Sequence, residues 1–145
     1  MDVSGTLGYL RGDWHLERQI SDHRTGQRGV FRGRASFRPS ADGQALQYSE
    51  DGELEFGSYH GPASRSLIYR GSGDGAADVR FADGREFYRI DLRCGSWQAE
   101  HACRADQYLV TVTTQGPVSF SETWRVSGPD KDYELTATYT RPGAE

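Results

Sequence analysis

The chain is poor in most of the residues that specialised binding chemistries draw on. It has one methionine, two cysteines, and a single lysine, Lys131, among its seventeen basic residues. Folding the chain back across Gly95, Ser96 and Trp97 would set Cys94 opposite about Ala99 rather than Cys103, so no disulfide is expected. His101 and Cys103 lie two apart and share a strand face, but no C-x-x-C or H-x-x-x-H supplies a third and fourth ligand. No metal and no cofactor are therefore implied. G-x-S-x-G is missing, and the GSGDG at 71–75 lacks the lysine and the strand-to-helix context of a phosphate loop. A net charge of -4 removes the general attraction to phosphate that nucleic-acid binders display. No apolar run approaches membrane-spanning length, and the opening MDVSGTLGYLRGDW has no basic stretch leading into an apolar one. These absences predict a soluble, cytoplasmic protein with no nucleic-acid and no membrane partner.

Helical periodicity is scarce as well, confined to a short turn over residues 4–12. Period-2 alternation recurs instead, broken by Gly-, Asp- and Pro-containing corners, which is the pattern of an antiparallel sheet protein. The alternation predicts strands over 13–22, 28–38, 44–50, 53–59, 64–71, 77–82, 85–93, 97–103, 106–114, 118–127 and 132–141. A chain of 145 residues fits one domain, 1–145, around one core. So many short strands in one domain favour closure, because closure removes exposed edges.

Turn chemistry fixes parts of the register. In VRFADGREFYRIDL, Asp83 and Gly84 suit a two-residue hairpin that pairs Phe81 with Glu86 and Val79 with Tyr88. Val79, Phe81, Glu86, Tyr88, Ile90 and Leu92 then share the inner face. The second D-G, Asp51-Gly52, would put Tyr48 on the face of Glu53 and Glu55 if it were equally tight, so a longer or bulged corner is expected there. Gly128 to Lys131 reads as a further hairpin corner, with Pro129 fixing φ at its second position.

Arginines keep falling on apolar faces: Arg18 with Trp14, Leu16 and Ile20; Arg65 with Leu67 and Tyr69; Arg141 with Tyr133, Leu135, Ala137 and Tyr139. A buried guanidinium must be paired, because otherwise it loses its hydration without compensation. Two readings remain open. Asp22, Glu50, Glu86 or Asp106 neutralise the arginines internally, or at least one arginine holds an anionic ligand such as a carboxylate.

Two sets of motifs carry a resemblance. Gly12-Asp13-Trp14 at the start of the first strand and Arg141 at the end of the last are similar to the closure device of calycin, or lipocalin-like, barrels, which implies that Trp14 plugs one end while Arg141 packs across its ring. Trp124 is grouped with them as closure hardware. More closely, Leu10 to Asp22 (L-x-G-x-W-x-L-x-R-x-I-x-D), Phe81 to Phe87 (F-x-D-G-R-x-F), His101 to Tyr108 (H-x-C-x-x-D-x-Y) and Trp124 to Arg141 resemble a domain-of-unknown-function family (DUF6314-like). Tyr88 departs from that pattern, where His is expected.

The expected architecture is thus all-β: an antiparallel calycin-like (lipocalin-like) β-barrel of eight to ten strands. The expected function is binding of a small anionic or polar aromatic molecule in the interior, with Arg18, Tyr48, Arg65, Tyr69, Tyr88, His101 and Tyr108 as the candidate lining. The alternative is a small barrel enzyme, an isomerase, cyclase or lyase, in which His101 or Glu86 moves a proton and arginines hold an oxyanion. Assembly into a homo-oligomer stays open.

Overall fold

The computed structural model describes residues 5–143. Residue 4, where the expected helical turn began, lies outside them with the rest of 1–4. One short helix, α1 (Thr6–Leu10), precedes ten strands: β1 (Gly12–Asp22), β2 (Arg28–Pro39), β3 (Ala45–Phe56), β4 (Tyr59–Gly71), β5 (Ala77–Phe81), β6 (Glu86–Ile90), β7 (Ser96–Cys103), β8 (Asp106–Thr114), β9 (Ser119–Ser127) and β10 (Asp132–Thr140). They form one antiparallel sheet in the order β6-β5-β4-β3-β2-β1-β10-β9-β8-β7. The first and last strands of the chain pair with each other, His15 opposite Thr140 and Asp22 opposite Tyr133. The two edges, β6 and β7, share no ladder among the described residues. They meet through side chains: the Trp97 indole of β7 donates to the Arg89 carbonyl of β6 at 2.5 Å, and the Phe87 and His101 rings lie 5.4 Å apart. The result is a nearly closed, calycin-like barrel with a seam between β6 and β7.

Alternation explains which side chains fill it. Trp14, Leu16, Phe31, Ala35, Phe37, Tyr48, Leu67, Tyr69, Val79, Tyr88, Val110, Val112, Trp124 and Tyr139 all point in and form one apolar cluster. At the lower end α1 is the plug. Trp14 donates from its indole to the Leu10 carbonyl at 2.8 Å, and the Leu92 amide donates to the Thr6 hydroxyl at 3.0 Å. Arg141 lies over the Trp14 ring, 3.7 Å from its centroid, and donates to the Tyr9 carbonyl at 2.7 Å. A cation thus lies over an aromatic face between the start of β1 and the residue that follows β10. Burial pushes the guanidinium pKa of Arg141 down, with Tyr9 and Asp13 opposing.

Three expectations change. First, Asp51-Gly52 is no corner: β3 runs through it, with Gly52 opposite both Gly33 of β2 and Ala63 of β4. A Cβ on Gly52 would collide with the Arg32 carbonyl and come within 2.6 Å of the Gly33 Cα. The two glycines let the backbones press together where the barrel wall bends, so one strand stands where two were expected. Second, the Asp83-Gly84 hairpin is longer by a residue. Val79 does pair with Tyr88, but the register shifts and Arg80, not Phe81, faces Glu86. Gly84 alone takes a positive φ, +92°, and the Phe81 amide donates to the Arg85 carbonyl at 2.9 Å. The bulge turns Glu86 to the exposed side and brings Phe87 in. Third, the chain does not fold back on itself at Gly95: β6 pairs with β5 and β7 with β8, so Cys94 never faces Ala99. Both cysteines are free and exposed. Among the described residues no helix is long and apolar enough to cross a membrane.

Candidate functional site

Half-way up the barrel the apolar lining is interrupted by Glu50, which is buried and pointed inward from β3. It pairs across the ladder with Arg65 of β4, and Arg18 of β1 reaches it from two strands away. Arg18 donates to both carboxylate oxygens, at 2.7 and 2.9 Å, while Arg65 donates once, at 3.2 Å. The Tyr48 hydroxyl donates to the same carboxylate at 2.5 Å and lies 2.9 Å from that of Tyr139. Burial by itself would raise the Glu50 pKa. The Arg18 hydrogen bond, the charges of Arg65 and Arg18 and the Tyr48 hydrogen bond outweigh it and hold the group down at about 2. Burial lowers the Arg18 pKa, yet Glu50 more than compensates and the net shift is upward. For Tyr48, Tyr69, Tyr88 and Tyr139 burial is the leading cause of an upward shift, so all four keep their protons and can donate.

Of the four carboxylates considered as internal partners, Glu50 alone meets the inward arginines. Asp22 stays at its hairpin and accepts from the Arg24 amide, Asp106 pairs with Lys131 at 3.0 Å, and Glu86 is exposed. Two guanidinium groups thus share one carboxylate. Arg65 is the less satisfied: its Nε is buried without an acceptor, although 37% of its side chain is solvent-exposed. Its register places it on the inner face, opposite Glu50 and six residues along β4 from Gly71, which packs against Leu7 of α1.

The upper end also carries an aromatic cleft of about 320 Å³ between the β5–β6 and β7–β8 hairpins, lined by Phe81, Arg85, Glu86, Phe87, His101, Ala102, Cys103 and Tyr108. His101 and Tyr108 oppose each other across β7 and β8, ring centroids 5.9 Å apart. The His101 ring also lies 6.5 Å from Phe81 and 5.4 Å from Phe87, steeply tilted to both. Phe81 pairs with Leu67, two residues from Arg65 on the same face of β4, so Arg65 and Phe81 are diagonal neighbours with Cβ atoms about 7 Å apart.

The candidate lining therefore falls into three groups. Arg18, Tyr48 and Arg65 belong to the Glu50 network. Tyr69 and Tyr88 belong to the packed core. His101 and Tyr108 line the cleft itself. Trp124 does not close the Trp14 end; it sits in the upper half, stacked against Phe87 at 5.0 Å. Sequence reasoning missed Glu122, which is buried and accepts from the Trp124 indole at 2.7 Å. The signal was present in SFSETWRV, where strict alternation puts Glu122 between Phe120 and Trp124 on the inner face. It also missed Phe87, hidden by the bulge.

Two of the sequence motifs meet here. Lys131, from the Gly128–Lys131 corner, bonds Asp106 and donates to the Tyr108 hydroxyl at 3.3 Å. A Cβ on Gly128 would collide with the Asp106 carboxylate, so the glycine makes room for this docking. Hydrogen bonds to Asp106 and Tyr108 shift the Lys131 pKa upward. The corner is thus a brace for the wall that carries His101 and Tyr108. No group of three or more His, Cys, Asp or Glu suited to a metal ion occurs among the described residues.

Comparison with known proteins agrees with the architecture. The model of a family of unknown function (DUF6314) matches residues 10–141, so the chain belongs to that family. No curated protein matches the chain. Among solved structures, the S-type phycobiliprotein lyase CPES from Guillardia theta is similar at 10% identity and a TM-score of 0.68, covering 100% of this chain and 95% of its own. A protein of unknown function from the DUF3598 family of Nostoc punctiforme is similar at 10% identity and a TM-score of 0.65, covering 97% of this chain and 52% of its own. EF1p2_mFAP2b bound to DFHBI is 14% identical with a TM-score of 0.50, covering 97% of this chain and 99% of its own. At these identities the likeness is one of fold.

Proposed function

We propose that this member of the DUF6314 family is a small-molecule binding barrel whose ligand carries an anionic group, held by Arg65 at the upper end. One observation carries the reading. Two inward guanidinium groups share the single carboxylate of Glu50, and the second of them has a buried N–H with no acceptor on a side chain that solvent still reaches. A donor in that state costs free energy until something accepts from it, and a carboxylate accepts two N–H bonds in the geometry a guanidinium offers. Arg18, chelated by both oxygens of Glu50, fixes the carboxylate and leaves Arg65 as the adjustable partner. The enzyme alternative gains less support, since Glu86, though it lines the cleft, is exposed and His101 is held by ring contacts.

Calorimetric titration of small carboxylates and their amides into wild type and Arg65→Met tests this. The carboxylate should bind and its neutral amide should not, and Arg65→Met should weaken the carboxylate by roughly tenfold or more. Arg18 still pairs Glu50 in that variant, which keeps the fold in place. Equal binding of acid and amide, or unchanged affinity in Arg65→Met, would refute the reading.

A further inference from the structure

Phe81, Phe87 and Trp124 form a column of three nearly parallel rings: Phe81 on Phe87 at 4.4 Å and 22°, Phe87 on Trp124 at 5.0 Å and 16°. The column does not end at Phe81. The Arg85 guanidinium lies over the Phe81 ring, 5.1 Å from its centroid, and because Phe87 covers the other face the cation must cover the one turned outward. Arg85 also lines the cleft. Its side chain is 75% exposed and is held by Asp83 at 2.7 Å, itself 56% exposed. An ion pair that open contributes little, and a cation stacked at an exposed site is correspondingly easy to displace.

We infer that the outer face of Phe81 is a stacking subsite for a planar conjugated ring, which displaces Arg85, so that the ligand is an aromatic acid. This rests on the reading of Arg65 as the anion anchor. Three features support it. The Arg85 guanidinium already lies over the face, so the space above the ring admits a group of that size. The His101 and Tyr108 rings stand steeply tilted to the same column, and a ring added to the column would meet neighbours in the tilted arrangement that aromatic pairs favour. Arg65 is the diagonal neighbour of Phe81 on the same face of the sheet, so a ring stacked there lies beside the strand that carries the guanidinium. A stacked ring buries its own apolar face along with that of Phe81, whereas the guanidinium covers Phe81 but adds no apolar face of its own, and this decides the competition in favour of the ring.

The test titrates 2-naphthoate, its saturated counterpart decahydro-2-naphthoate and the neutral 2-naphthamide into wild type, Phe81→Leu, Arg85→Ala and Arg65→Met, with binding read by calorimetry. Phe81→Leu keeps an apolar side chain at a half-buried position and loses only the ring. The expected result is that 2-naphthoate binds roughly three- to tenfold more tightly than the saturated acid, and that Phe81→Leu abolishes this preference. Arg85→Ala should strengthen 2-naphthoate by roughly two- to fivefold, because the competing cation is gone. If both acids bind equally and Arg65→Met weakens both, the stacking subsite is overturned while the anion anchor stands. If 2-naphthoate and 2-naphthamide bind alike, lose affinity in Phe81→Leu and ignore Arg65→Met, the anchor fails and the subsite stands. If Arg85→Ala weakens 2-naphthoate, Arg85 is a ligand contact and its displacement is overturned.

Discussion

Replacing Glu50 with Gln removes one charge from the middle of the barrel and leaves the shape of the side chain intact. Arg18, 9% exposed at its side chain, then has two short bonds to a neutral amide, one of whose groups is a donor facing donors. Breaking a buried pair in this way costs about 3–5 kcal/mol, because the surviving charge stays desolvated. The pKa of Glu50 gives a second, independent route to the magnitude. Its carboxyl falls from an ordinary 4.5 to about 2, and a drop of that size corresponds to about 3 kcal/mol of stability. The sign follows from the depressed folded value: the stabilisation is complete above pH 4.5 and is lost as the pH falls toward 2. With an unfolding entropy of roughly 2.1 cal/mol/K per residue, a loss of 3–5 kcal/mol lowers the melting temperature by about 10–16 °C at pH 7. Thermal melts followed by circular dichroism from pH 7 to pH 2 should show that gap at neutral pH and its progressive closure below pH 4.5. Arg18→Met and Arg65→Met combined with Glu50→Leu should recover much of the loss, because no charge of the network is then stranded. A Glu50→Gln melt within about 2 °C of wild type at pH 7 would refute the reasoning, as would a gap that persists unchanged to pH 2.

Gly52→Ala should cost about 2–3 kcal/mol, since its Cβ meets backbone atoms of Arg32 and Gly33 that cannot rotate away. Urea unfolding should show a lower midpoint at an unchanged slope, and a tolerated alanine would mean that the β2–β3 wall is more pliant than its register implies. Arg141→Met should lose the cation over Trp14 and the bond to the Tyr9 carbonyl, about 1–2 kcal/mol together. A melting temperature lowered by about 3–7 °C with an altered near-ultraviolet tryptophan signal is the expected outcome, and an unchanged signal would count against the closure.

Much of the candidate site was legible from alternation, and the misses have physical causes. Arg18, Tyr48, Arg65, His101 and Tyr108 were placed on inner faces because a strand's side chains alternate whatever its neighbours do. Glu86 was misplaced because a bulge adds one residue to one strand, and every face assignment between Phe81 and Tyr88 depends on that count. Asp51-Gly52 looked like a corner because local turn chemistry and a glycine kink within a bent strand draw on the same residues. Phe87 and the Phe81–Phe87–Trp124 column were out of reach for the same reason as Glu86.

The sequence by itself determined the period, and with it an all-β barrel with arginines on its inner faces, since these rest on neighbours along the chain; the Trp14–Arg141 closure was implied by the resemblance to calycin barrels. The tertiary structure decided the pairings. It chose Glu50, thirty-two residues from Arg18, as the carboxylate both arginines share. It also brought Lys131 against Asp106 and Tyr108, and it opened the seam at β6 and β7 beside the aromatic cleft. Those outcomes follow from register across ten strands and from incomplete closure of the ring. Both are set by how the whole sheet bends and by which distant strands it brings together, which no local stretch of residues encodes alone.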